Sequence, residues 1–124
     1  MRDYASRTLE DPFGVFKDCI TALENHPGED TIWDAYNYGV RFAQADIASR
    51  FDKHKMVPLD CFNRFFDYIK RFIQILEQRT DEDSREYLIF LERRKTRIAS
   101  LLERGVIEGE EVNYRPILKL QPTS

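Results

Sequence analysis

The chain is poor in the residues that usually declare a chemistry. Its 124 residues hold two histidines and two cysteines. A helical di-iron centre needs Glu-x-x-His pairs, yet the residues three before His26 and His54 are Leu23 and Phe51. G-x-x-x-x-G-K-[ST], G-x-G-x-x-G, G-x-S-x-G and H-E-x-x-H are all absent. These absences leave no catalytic, cofactor-binding or metal-ligating residue to name, so the sequence reads as non-enzymatic with no cofactor. Cys19 and Cys61 stand on separate predicted helices without a CxxC. They are expected to be reduced buried thiols, a single disulfide being the alternative. No run approaches the ~18–20 apolar residues of a membrane span. The opening MRDYASRTLED also lacks the apolar core of a secretory signal. A cytoplasmic protein without a membrane partner is the expectation.

Charged residues make up 33% and apolar residues 42% of the chain, a globular composition in a length suited to one domain. The net charge of −3 argues against a generic nucleic-acid or membrane binder, although a local patch overrides an average.

What is present is helical periodicity. The stretch 57–78, VPLDCFNRFFDYIKRFIQILEQ, carries two adjacent apolar stripes. One is Phe62, Phe66, Ile69, Ile73 and Leu76; the other is Cys61, Phe65, Tyr68, Phe72 and Ile75. Together they span about 180° of a helix, wider than the ~100° face of an ordinary surface helix. Such a helix needs more than one neighbour and is expected at the centre, with Phe66 and Ile69 at the middle of the arc. On its wet side, Asp60 with Arg64 and Asp67 with Arg71 are acid-before-base pairs at i,i+4.

Three further helices surround it in sequence. Thr8 with Asp11, then Pro12, looks like the start of one bearing Phe13, Phe16, Cys19, Ile20 and Leu23. Asn25-His26-Pro27-Gly28 ends it, with His26 a loop or C-cap residue. Thr31 with Asp34 is read as the cap of the next. Its core face is Ile32, Tyr36, Val40, Ala43, Ile47 and Phe51, with Trp33 and Phe42 on the flanks. Ala35, Gly39 and Ala43 make a small-residue seam for close helix approach, and His54 sits near its C-terminal dipole. Thr80 with Asp83 is read as the cap of a last helix bearing Tyr87, Leu88, Leu91, Ile98, Leu101 and Leu102 and ending at Gly105. The resulting expectation is all-α: a four-helix bundle-like single domain. Its helices fall at about 9–25, 31–54, 58–78 and 81–104. The bundle spans residues 1–105, and 106–124 form an irregular, extended or flexible C-terminal tail.

Two features point outward. Arg93, Arg94, Lys95 and Arg97 cluster on the last helix, where Arg94 and Lys95 interrupt the apolar stripe between Leu91 and Ile98. They snorkel, pair with carboxylates such as Asp46, or offer contacts to phosphates or an acidic partner. The dense aromatics are the second feature. Phe65 and Phe72, with Ile89 and Phe90, are expected at an interface, since large apolar patches mark such sites. The format resembles small helical subunits of larger assemblies and small inhibitor or adaptor proteins, a likeness that assigns no residue a role. The function expected is a protein–protein interaction module (adaptor, assembly subunit or inhibitor) acting through a helical surface. Its partner is another protein or a second copy in a homodimer. The alternative is a nucleic-acid-associated subunit using Arg93, Arg94, Lys95 and Arg97, with Arg64, Lys70 and Arg71.

Overall fold

The computed structural model describes residues 4–54 and 57–107, and the backbone alone at 54, 59 and 102–107. These residues form an all-α, bundle-like domain with no strand among them. The elements are α1 (Tyr4–Arg7), α2 (Pro12–Asn25), α3 (Glu29–Asp34), a π-helical segment (Ala35–Val40), α4 (Arg41–His54), α5 (Leu59–Glu77) and α6 (Glu82–Ile107). The expected helix over 31–54 is thus one helical run from Glu29 to His54 with a wide turn inside it. The helix over 81–104 continues two residues past Gly105, to Ile107. The rest of the expected tail, 108–124, lies outside the described residues, as does the side chain of His54.

The helix starts are set by residues other than the expected caps. Asp11, not Thr8, caps α2: its carboxylate accepts from the Gly14 N–H at 3.0 Å, and Pro12 opens the helix behind it. Thr8 instead donates to the Ala5 carbonyl. The helical run after the turn begins at Glu29, with Gly28 at the N-cap. Thr31 sits three residues in, and its hydroxyl accepts from the Gly28 N–H at 3.0 Å while donating to the His26 carbonyl at 2.8 Å. Asp81, rather than Thr80, caps α6 by accepting from the Ser84 N–H at 3.0 Å.

α5 packs against each of the other three long helices, α2, α4 and α6, and against the π segment. It is the central element. Cys61, Phe62, Phe65, Tyr68, Ile69, Phe72 and Leu76 are buried, while Phe66, Ile73 and Ile75 are half-buried at the margins. At 100° per residue the buried set spans about 120° centred on Phe65. Phe66 is therefore an edge residue, and the centre of the core is Phe65 with Phe72 and Leu76. α2 supplies a broad face to it, burying Phe13, Val15, Phe16, Cys19, Ile20 and Leu23. Both cysteines are buried, and no disulfide joins them.

The π segment has a reason in the sequence. Ala35, Gly39, Ala43, Ile47 and Phe51 are all buried and recur at strict fours. An α-helix turns once in 3.6 residues, so this stripe would drift by about 40° per step and about 160° over its length. A turn closed by i→i+5 hydrogen bonds is wider and takes up part of that drift. The Arg41 N–H donates to the Tyr36 carbonyl, one such bond. Within this turn Gly39 faces the Phe16 ring so closely that a Cβ there would lie 2.6 Å from Phe16 Cδ1. Close packing is thus what the glycine provides. Phe16 is pinned on its other edge by Phe65 and Tyr68, with ring centroids at 6.1 and 5.2 Å.

Candidate functional site

The wide turn also sets the position of Tyr36, and with it the one place where the flagged residues converge. Tyr36 leans against α6 and stacks with two of its rings, Tyr87 at 5.4 Å and Phe90 at 5.8 Å between centroids. Tyr87 and Phe90 are themselves 6.1 Å apart, edge to face. Burial, helped by the nearby Asp83, pushes the Tyr87 hydroxyl pKa above its ordinary value. The three rings form an aromatic platform at the seam between the π segment and α6.

Arg94 crosses this platform. It fills the two-turn gap between buried Leu91 and Ile98 on α6, with its guanidinium carbon 5.6 Å from the centre of the Tyr36 ring. Nε donates to the Tyr36 hydroxyl at 3.2 Å, and Nη1 donates to Oε1 of the buried Gln44 at 3.0 Å. Both acceptors are neutral. The expected pairing with Asp46 is not made, because Asp46 is held by Arg50 on its own helix at 2.8 Å. Arg94 is thus fixed in place without its charge being cancelled.

Arg93 and Arg97 flank it. With Tyr36, Phe90 and Arg94 they line a cleft of about 330 Å³. Among the described residues neither has a carboxylate within ion-pair distance. A second depression, of about 730 Å³, shares Arg93 and Arg97 with the first and is lined further by Glu92, Thr96, Ser100 and Leu101 of α6 and by Ala48. Lys95, predicted with the cluster, is exposed and lines neither.

The remaining predicted residues divide. Ile89 is 54% and Phe90 36% exposed, on the outer side of α6 as the interface reading needs. Phe65 and Phe72 are fully buried within the single chain, on a helix packed by α2, α4, α6 and the π segment. They are not available to a partner, and the argument for a homodimer through them falls with that. Arg64 and Arg71, grouped with the basic patch, are engaged on α5. Arg64 lies 3.7 Å from Asp60 and donates to the Tyr68 hydroxyl at 3.3 Å. Arg71 makes a two-pronged bond to Glu24 of α2, at 2.9 and 2.6 Å, and lies 3.6 Å from Asp67.

Tyr36 and Gln44 are the site residues the sequence reading missed. Its spacing puts Tyr36 on a core face, and nothing in that spacing shows its hydroxyl meeting an arginine 58 positions away. No group of three or more His, Cys, Asp or Glu side chains among the described residues is placed to hold a metal ion. No described helix is long and apolar enough to cross a membrane. No known protein family matches the chain, and no curated protein or solved structure is similar to it.

Proposed function

We propose that the chain is a non-enzymatic protein–protein interaction module whose recognition surface is the outer side of α6 beside the π segment. Its partner presents an acidic segment. The observation that carries this reading is the trio Arg93, Arg94 and Arg97 around one cleft, without a carboxylate partner among the described residues. Like charges held together repel, and an anionic partner relieves that repulsion as it binds. Phe90, which lines the cleft, and exposed Ile89 next to it in sequence supply the apolar contact, in the arrangement of an aromatic anchor next to arginines that binding surfaces favour.

The alternative, a nucleic-acid-associated subunit, has less behind it. Arg64 and Arg71 are occupied by acids and Lys95 lies off the cleft, so the cations do not extend into a stripe long enough to track a phosphate backbone. The test is fluorescence anisotropy with a labelled hexapeptide alternating Glu and Leu, set beside short DNA and RNA duplexes at the same salt. Binding of the peptide that weakens at least tenfold in the double variant Arg93→Gln, Arg97→Gln, and not in Arg85→Gln, is the expected result. Tighter binding of either duplex than of the peptide would replace this reading with the alternative.

A further inference from the structure

We infer that the cleft between Tyr36, Phe90, Arg93, Arg94 and Arg97 is a phosphoryl-binding site, and that its ligand is a phosphorylated residue within an extended segment of a partner protein. The inference rests on the interaction-module reading and narrows its ligand from any acidic segment to a phosphorylated one.

The donor geometry comes first. A guanidinium carries five N–H groups in a fixed plane. Arg94 uses one on the Tyr36 hydroxyl and one on Gln44, which leaves three aimed by a side chain that no longer rotates freely. Its two anchors are themselves fixed: Gln44 is buried, and Tyr36 is wedged against Tyr87 and Phe90. Because the anchors are neutral, the full positive charge of Arg94 faces the cleft. Arg93 and Arg97 add the guanidinium groups of two exposed residues at its wall.

The charge balance selects the ligand. A carboxylate brings one negative charge and two acceptor oxygens. A phosphomonoester brings about −1.5 to −2 and three oxygens, a better match to three guanidinium groups at one place. The volume of about 330 Å³ is at the small end of ligand pockets, so it takes a single residue rather than a large cofactor. The walls offered by Phe90 and Tyr36 are rings, which favours an aryl phosphate such as phosphotyrosine over an alkyl one.

The shape of the surroundings selects the source. The depression lined by Ala48, Glu92, Thr96, Ser100 and Leu101 shares Arg93 and Arg97 with the cleft, and the two together reach from Phe90 to Leu101. Eleven residues of α-helix are about 16 Å, the length of about five residues of extended chain. A free nucleotide or inorganic phosphate would leave that extension empty, whereas a peptide would fill it.

Four probes test the inference by calorimetry at constant ionic strength. These are an alanine pentapeptide with a central phosphotyrosine, the same peptide with Tyr, the same with Glu, and adenosine monophosphate. The phosphotyrosine peptide should bind at least tenfold more tightly than the other three. Arg94→Lys, which keeps the charge but loses the planar fork, should weaken it at least tenfold. Should that variant unfold because Gln44 loses its partner, the double variant Arg93→Gln, Arg97→Gln at exposed positions should show the same loss. Equal binding of the Glu and phosphotyrosine peptides overturns the phosphoryl inference and leaves the acidic-segment reading standing. Adenosine monophosphate binding as tightly as the phosphopeptide overturns the assignment to a protein segment. No binding of any probe overturns both readings.

Discussion

The arginines of α5 and those of α6 are the same side chain in two electrostatic settings. On α5, the position four before Arg64 is Asp60 and the position four before Arg71 is Asp67, and both pairs form, at 3.7 and 3.6 Å. On α6 the positions four before Arg93, Arg94 and Arg97 are Ile89, Phe90 and Arg93. The helix therefore supplies no acid at the spacing where an acid pairs best. The lesson is that the residue one turn upstream decides whether an arginine's charge is paired within its own helix or left for something outside it. On α5, Arg71 fastens the helix to α2 through Glu24 and Arg64 lies over the α2 ring of Phe13; the α6 arginines line a cleft.

The largest way to sharpen that contrast is to cut into each helix. Phe65→Ala should cost about 3–5 kcal/mol in chemical denaturation, since it opens a cavity at the centre of the core. Phe90→Ala on the outer side of α6 should cost less than about 1 kcal/mol. Next comes Arg94→Ala, which leaves the buried Gln44 oxygen without its donor and should cost about 1–3 kcal/mol. A smaller effect is expected from Gly39→Ala. The new Cβ presses on Phe16, which Phe65 and Tyr68 prevent from yielding. Overpacking of about 1–3 kcal/mol, less the ~1 kcal/mol that alanine gains over glycine in a helix, should leave a loss of about 0–2 kcal/mol in the same assay.

The Arg71–Glu24 bond between α5 and α2 should show in pH dependence. The Arg71 hydrogen bond holds the Glu24 carboxyl below its ordinary pKa. A carboxylate depressed in the folded state stabilises it above the unfolded value, about 4.3, and the contribution is lost as pH falls below that toward the folded value. Both groups are about one-third exposed, so solvent screening keeps the effect to roughly 0.5–1 kcal/mol. Arg71→Gln should flatten the acid limb of a stability–pH curve by that amount. Smallest of all, Arg93→Gln with Arg97→Gln should change stability by no more than about 0.5 kcal/mol, because no described acid depends on them. A loss above 1 kcal/mol would erase the distinction between the two helices.

Much of this was legible in the sequence. The four long helical runs, the central place of α5 and its two i,i+4 ion pairs follow from periodicity and spacing. The boundaries did not, since two of the predicted starts hold two candidate caps. Thr8 competes with Asp11 and Thr80 with Asp81, and in each case the aspartate reaches the third N–H of the helix. At the third start Thr31 lies inside the helix and braces it from the N3 position. The middle of the α5 core was set one residue off because a helical wheel gives the width of an apolar arc but not which neighbour covers which edge. α2 lies against Phe65 and Tyr68, and that fixes the centre. Of the site, the arginines and Phe90 were visible as residues. Their meeting with Tyr36 was not, since it depends on how far the helix between Glu29 and His54 is wound.

That winding carries a consequence for how the chain tolerates changes of length. Removing one residue from an ordinary α-helix turns everything after it by about 100° and carries the buried stripe into water. In the segment Ala35–Val40 the helix already holds more residues per turn than an α-helix needs. Deleting Asn37, whose side chain bonds locally to the Trp33 carbonyl and Arg41, converts the wide turn toward a regular one. α4 then follows at a smaller rotation than any other single deletion in the run would impose. The π segment is slack stored in the backbone. A deletion scan from residue 29 to 54 should find its one permissive stretch there, bounded by Ala35 and Gly39, on which Phe16 closes.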